Sequence, residues 1–249
     1  MITADFKVRY QSSVLGYLWS LLRPLFLFVT LYIVFTLIFK VGKGVPHYPV
    51  YLLLGIIMWN FFNETTVIGM GSVVGKGDLI RKISIPRYLT VLSSSVSALI
   101  NLLINLVVVI VFALFSGITP SIGWLLFPFV IVELFVFSTA VAFFLSALYV
   151  KFRDVTYIWE VGLQAAFYAT PILYPLTRVG EQYRQYFFLN PMAQIIQDGR
   201  ALLITPESIT VWQIASPWIK AVPVVIVLAT VYFSRSYFRR QAKWFAENI

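Results

Sequence analysis

The sequence predicts an all-α, polytopic integral membrane protein with six transmembrane helices, and three observations predict it. Of the 249 residues, 60% are hydrophobic and only 12% charged, and the mean hydropathy of +0.86 lies far above the range of a water-soluble domain. Uncharged runs near the length of a bilayer crossing recur from one end to the other, so no separate soluble domain is expected and residues 1–249 read as one transmembrane domain. The basic residues that set the net charge of +9 fall between those runs and form no single stripe. They read as topology markers, and no nucleic-acid partner is expected.

The first twenty residues carry Asp5, Lys7 and Arg9 without a compact apolar core or a small-residue cleavage site, so a cleavable signal peptide is not expected. Within residues 1–20, a helical projection of 6–19 sets Phe6, Tyr10, Val14 and Tyr17 on one side, blurred by Leu15 and Trp19. Two readings stand: an amphipathic helix lying on the cytoplasmic membrane surface, with Lys7, Arg9 and Tyr10 at the interface, and a plain cytoplasmic extension of the first span.

Span one is expected over 21–40, because Pro24 to Phe39 holds no charge once Arg23 is passed. Span two is expected over 50–72, with Trp59, Asn60, Asn63 and Glu64 near its middle and a glycine-rich end from Gly69 to Gly77. Residues 88–132 carry no charge at all, too long for one crossing, and the turn signal from Ser116 to Gly123 divides them into spans 88–115 and 123–149. Lys151, Arg153 and Asp154 separate these from span five, 155–174, which Pro171 and Pro175 should stop.

Residues 176–215 form the expected external loop. Within it Asn190 is placed to cap a helix whose first residue is Pro191. A helix from Pro191 to Ile204 would reach roughly 21 Å, short of a hydrocarbon core of about 30 Å, so this segment is expected to be re-entrant or interfacial. Span six, 216–234, is followed by Arg235, Arg239, Arg240 and Lys243. With six spans, thirteen of the nineteen Lys and Arg residues lie on the side that holds both termini. The positive-inside rule then puts both termini in the cytoplasm.

Zero cysteines exclude disulfides and thiolate ligands, and a single histidine, His47, excludes a multi-histidine metal site. Gly71-Ser-Val-Val-Gly75-Lys76-Gly77 resembles a phosphate loop only superficially. Three residues separate the glycines where four are needed, and Gly77 replaces the Ser or Thr that must follow the lysine. Gly71 and Gly75 read better as a small-residue surface for helix packing.

The loop from Gly75 to Arg87 is the most informative stretch. Asp78 can cap a short helix that Pro86 must end, with Leu79, Ile80 and Ile83 on an apolar face and Arg81, Lys82 and Arg87 supplying charge. That suits docking into a groove of a soluble partner. It also suits a surface linker held by anionic headgroups.

Glu64, Glu133 and Glu160 fall inside expected spans, where carboxylates are costly. Structural hydrogen bonding, for instance to Asn63 or Gln164, is set ahead of a proton relay. Of the aromatics, Tyr32, Phe35 and Phe39 line one side of span one, and Tyr168 and Tyr174 lie in span five. Most membrane aromatics anchor the interface or fill helix contacts. These five are candidates to line a conduit, where an aromatic face slides against the apolar face of a sugar.

With these residues laid out, the chain resembles the ABC-2 type permeases that export bacterial polysaccharides. It is most similar to the O-antigen exporter permeases of the Wzm type, with teichoic acid and capsule exporters as near relatives. The resemblance covers almost the whole chain. It rests on Lys7-Val-Arg-Tyr-Gln-Ser-Ser-Val-Leu-Gly-Tyr-Leu-Trp-Ser-Leu-Leu-Arg-Pro24, Leu79-Ile-Arg-Lys-Ile-Ser-Ile-Pro-Arg87, Val150-Lys-Phe-Arg-Asp-Val155, Thr170-Pro-Ile-Leu-Tyr-Pro175 and Leu189-Asn-Pro191, in that order. Ile85 stands where relatives often carry Phe.

The resemblance implies a homodimer in the bacterial plasma membrane bound to two copies of a separate ATP-binding subunit. ATP and magnesium would sit in that partner and no cofactor in this chain. Residues 78–87 would form a coupling helix, and a lipid-linked glycan would pass between the protomers. Teichoic acid, capsule, drug or small-lipid export are alternatives within transport. A membrane-embedded polyprenyl-phosphate transferase is the alternative of another class, but Asp78, Asp154 and Glu247 are too scattered to form its acidic centre.

Overall fold

The computed structural model describes residues 18–75, 77 and 86–241. Most of the expected interfacial helix, with Lys7, Arg9 and Tyr10, and the loop residues Asp78, Leu79, Ile80, Arg81, Lys82 and Ile83 lie outside the described residues. Among the described residues the fold is all-helical, with no strand.

Helix α1, Leu18–Tyr32, widens into a π-helical stretch, Ile33–Ile38. There Phe39 N–H reaches back five residues to the Val34 carbonyl at 3.0 Å. The wider turn shifts the register of Phe39 relative to a regular helix. Lys40 and His47 then take left-handed backbone angles (φ 53° and 50°) at either side of the turn that feeds the next helix.

Helix α2, Tyr48–Gly75, has 28 residues and is long enough at about 42 Å to cross a bilayer. It is apolar on every side of its first half, and a helix of that kind belongs in the middle of a bundle. Val50, Leu52, Leu54, Ile56 and Met58 are accordingly fully buried. Helix α3, Tyr88–Phe115, and helix α4, Gly123–Lys151, pack along it. Gly117 supplies the left-handed turn (φ 82°) between those two.

The close approach of α2 and α4 falls at Gly69, where an added Cβ would stand 2.7 Å from the Ala142 Cβ. It does not fall at Gly71 and Gly75, whose Cβ positions meet no described atom within 4 Å. Among the described residues the close helix contact thus begins two residues before the expected small-residue surface, on the face of α2 that meets α4.

Helix α5, Val155–Ala169, has fifteen residues and reaches only about 22 Å. Thr170 turns extended because Pro171 disfavours the helical region for the residue before it. Leu163 is the one buried residue of α5.

The loop beyond holds a 3-10 turn, Leu176–Arg178, a single turn α6, Glu181–Arg184, a second 3-10 turn, Gln185–Leu189, and helix α7, Pro191–Leu203. Asn190 caps α7 by accepting from Met192 N–H at 3.0 Å. Helix α7 packs on α2 and α4 and is buried on nearly every side. A short turn α8, Val211–Ile214, starts from a Thr210/Gln213 capping box and leads to helix α9, Pro217–Gln241. Helix α9 runs past the expected end of span six, because arginines end an apolar run without ending a helix.

Among the described residues four helices, α2, α3, α4 and α9, are long and apolar enough to cross a membrane. The apolar stretch of α1, Leu21–Thr36, is shorter, and so is α5.

Candidate functional site

Around α7 the structure gathers polar side chains from far apart in the sequence. Arg200 is completely buried. Its Nε donates to the Tyr51 carbonyl at 3.1 Å, Nη1 to the Pro171 carbonyl at 2.6 Å and to Gln197 Oε1 at 2.8 Å, and Nη2 to the Ile172 carbonyl at 2.9 Å. The guanidinium also lies 3.4 Å from the centroid of the Tyr51 ring, a short cation–π contact.

All four acceptors are neutral. Burial pulls the affinity of Arg200 for its proton below the usual range, yet a guanidinium with carbonyls on each arm stays charged. The cation thus ties α2, the end of α5 and α7 into one unit. Tyr48 adds a bond from its hydroxyl to the Leu173 carbonyl at 2.7 Å.

On the neighbouring face of α7, Gln194 Nε2 donates to Asp198 Oδ2 at 2.8 Å and, more weakly, to Glu133 Oε2 of α4 at 3.4 Å. Trp212 Nε1 donates to the same Asp198 oxygen at 3.2 Å. Burial pushes the Asp198 carboxyl above the usual carboxylate range. Its second oxygen and Gln194 Oε1 are buried without a partner. Glu133 and Asp198 are thus brought to one amide, a proximity that no sequence spacing announced.

Glu64 accepts from Asn101 Nδ2 of α3 at 2.8 Å, a partner on another helix across the bundle. Glu160 and Gln164 are different. Both are exposed on α5, beside Tyr157 (71% exposed), Ile158, Val161 and Tyr168. Glu160 makes no hydrogen bond or ion pair with the described residues.

The expected conduit aromatics divide into two groups. Tyr32 and Phe35 pack partly against the core, Tyr32 stacking on Phe28 at 5.7 Å, while Phe39 is exposed and 5.7 Å from Phe35. Tyr174 donates from its hydroxyl to the Tyr168 carbonyl at 3.0 Å, and the Tyr168 ring is exposed. Among the described residues no ring contact joins the two groups. Arg87, the described member of the expected coupling set, sits at the start of α3.

The set missed by sequence reasoning is Gln194, Gln197, Asp198 and Arg200. The available signal was four polar residues on one short helix otherwise made of apolar side chains.

A bundle of apolar helices with a polar cap at one end defines a multi-pass membrane protein. Residues 1–204 match the ABC-2 type transporter family, and the chain belongs to that family as a membrane transport subunit. It is similar to two O-antigen export system permease proteins RfbA of Klebsiella pneumoniae. These are 32% and 31% identical over 201 residues, which cover 80% of this chain and 77% of each relative. The O-antigen export system permease protein RfbA of Myxococcus xanthus is 28% identical over 254 residues, covering 100% of this chain and 94% of the relative.

Proposed function

We propose that this chain is the permease subunit of an exporter for a lipid-linked, O-antigen type polysaccharide in the bacterial plasma membrane. It works as a homodimer powered by two copies of a separate ATP-binding subunit. In this reading α1 with its π-helical continuation, and α5 with the residues that follow it to 174, complete six crossings, both termini are cytoplasmic, and Asp78, Leu79, Ile80, Arg81, Lys82, Ile83 and Arg87 form the coupling helix. Residues 7–10 lie at the same cytoplasmic surface. The relatives named as O-antigen permeases support the cargo class.

The observation that carries the assembly is the exposed face of α5. A carboxylate and an amide, Glu160 and Gln164, sit among Tyr157, Ile158 and Val161 on a helix with one buried residue. Polar side chains at such depth are costly against lipid and face a protein neighbour or a water-filled path. A second copy of α5, with Tyr168, Tyr174 and the α1 aromatics Tyr32, Phe35 and Phe39 near the path, supplies both. Aromatic faces hold sugar rings weakly and repeatedly, as a sliding polymer needs.

The absence of cysteine makes the test direct. A single Val161→Cys substitution should cross-link two chains in native membranes under mild oxidation. Failure of every single-cysteine position from Tyr157 to Gln164 to cross-link would remove the α5 dimer. Coupling is read separately: Arg81→Asp with Ile83→Asp should abolish co-purification of the ATP-binding subunit, and unchanged association would refute the coupling helix. Tyr32→Ala with Phe35→Ala should lower polymer export while leaving the complex assembled.

A further inference from the structure

A cleft of about 930 Å³ opens between the start of α3, the middle of α4 and the end of α9. Its walls are apolar: Phe135, Val136 and Phe143 come from α4, and Val231 and Phe238 from α9. The edge-to-face contact of Phe143 with Phe238, 5.1 Å between centroids, joins the two walls. Arg235 and Arg239 also line it, both exposed and one turn apart, hence on the same side of α9. Arg87, just before α3, lines it too.

The dimensions select an amphiphile. From Val231 to Arg239 the cleft follows α9 for about 12 Å, running from hydrocarbon-like walls to a cluster of guanidinium groups. A soluble phosphate would leave the aromatic walls unused. A zwitterionic lipid would leave the arginines without net counter-charge. Phosphate oxygens suit the arginine forks, and basic pockets between membrane helices are a recurrent way of holding anionic headgroups.

We propose that this cleft binds an anionic phospholipid of the surrounding leaflet. Arg235 and Arg239 take the phosphate, and an acyl chain lies along Phe135, Val136 and Val231. None of its lining residues belongs to α1 or α5, so the site is separate from the proposed polymer path and the inference does not rest on that reading. For the same reason the occupant is a resident lipid and not the cargo.

The test is native mass spectrometry of the detergent-solubilised full chain titrated with dioleoyl phosphatidylglycerol or phosphatidylcholine. Each variant is first checked for an unchanged gel-filtration profile. One phosphatidylglycerol per chain should be retained preferentially. Arg235→Gln with Arg239→Gln should erase that preference, with a loss of about fivefold per arginine. Arg240→Gln, at the same helix end but outside the cleft, should change nothing.

Val136→Trp fills the mouth from an exposed position and should lower retention with every arginine intact. Four results would overturn the proposal: undiminished retention in the double arginine variant, an equal loss in Arg240→Gln, displacement of the lipid by millimolar inorganic phosphate, or its displacement by stoichiometric undecaprenyl diphosphate. The second would mean diffuse charge, the third a headgroup-only site and the fourth a cargo site.

Discussion

Helix α7 and helix α5 are of similar length, thirteen and fifteen residues, and neither is long enough to cross a bilayer alone, yet they resolve their polar side chains in opposite ways. On α7 the polar groups turn inward. Arg200 finds four neutral acceptors, and Gln197 donates to the Ile209 carbonyl at 2.9 Å. On α5 they turn outward, leaving Glu160 and Gln164 on an apolar surface. The difference teaches which part of the molecule is finished within one chain. Buried polar groups cost free energy unless paired, so the Arg200 centre of the α7 cap is a completed structural unit, whereas α5 presents a surface that a second body must complete.

Removing the centre of the cap should give the largest effect. Arg200→Ala leaves the carbonyls of Tyr51, Pro171 and Ile172 buried without donors. That should cost at least about 3 kcal/mol, read from unfolding of the solubilised chain. Arg200→Lys should recover little of it, since a single ammonium cannot reproduce the planar fork. Full stability of Arg200→Ala would mean that the cap is not a unit.

Gly55→Ala comes next. A Cβ there runs into Arg200 Nη2 and stands 3.4 Å from the Ile172 side chain, and the guanidinium is held on every arm. Overpacking of this kind costs about 1–3 kcal/mol, and the loss should shrink in an Arg200→Ala background. A double-mutant cycle showing strict additivity would argue against that contact.

The complementary experiment acts on α5. Glu160→Leu with Gln164→Leu should change the stability of the solubilised single chain by no more than about 0.5 kcal/mol, because exposed positions rarely do more. The same variant should impair polymer export in cells. A large loss of single-chain stability would erase the contrast between the two helices.

The two regions also differ in how far the sequence announced them. Asn190 and Pro191 mark the start of α7 through local chemistry alone, a side-chain cap and a preset φ, and the hydrogen bond to Met192 N–H is the physical form of that signal. The turn at Gly117 is local in the same sense. The partners of Arg200 are not local: Tyr51 lies 149 residues away, and backbone carbonyls carry no sequence signature.

Asp198 and Glu133 illustrate the same limit, since an amide between two carboxylates 65 residues apart leaves no spacing to read. The α5 face was legible only as composition. Its register followed once Leu163 was seen to be its one buried residue.

The smallest expected effect has the opposite sign and tests how complete the cap is. Asp198 is held above its usual carboxylate range, mainly by burial, while the hydrogen bonds from Gln194 and Trp212 pull the other way. A carboxyl whose folded-state affinity for a proton exceeds the unfolded one takes up that proton on folding. Stability contributed by the group therefore rises as pH falls through the raised folded value toward the ordinary unfolded value, and the full penalty is present above that window. Asp198→Asn removes the charge. Its carbonyl can keep accepting from Gln194 and Trp212, and its amide gains the chance to donate to Gln194 Oε1, now buried without a partner. The variant should be more stable than the parent by a few tenths of a kcal/mol near neutral pH, discounted for the part of the group that solvent reaches. The gap should narrow on acidification, as seen in paired unfolding curves at neutral and acidic pH. A variant less stable than the parent at neutral pH would show that the ionised carboxylate holds the cap together, and Glu133, Gln194 and Asp198 would then have to be read as a charge site.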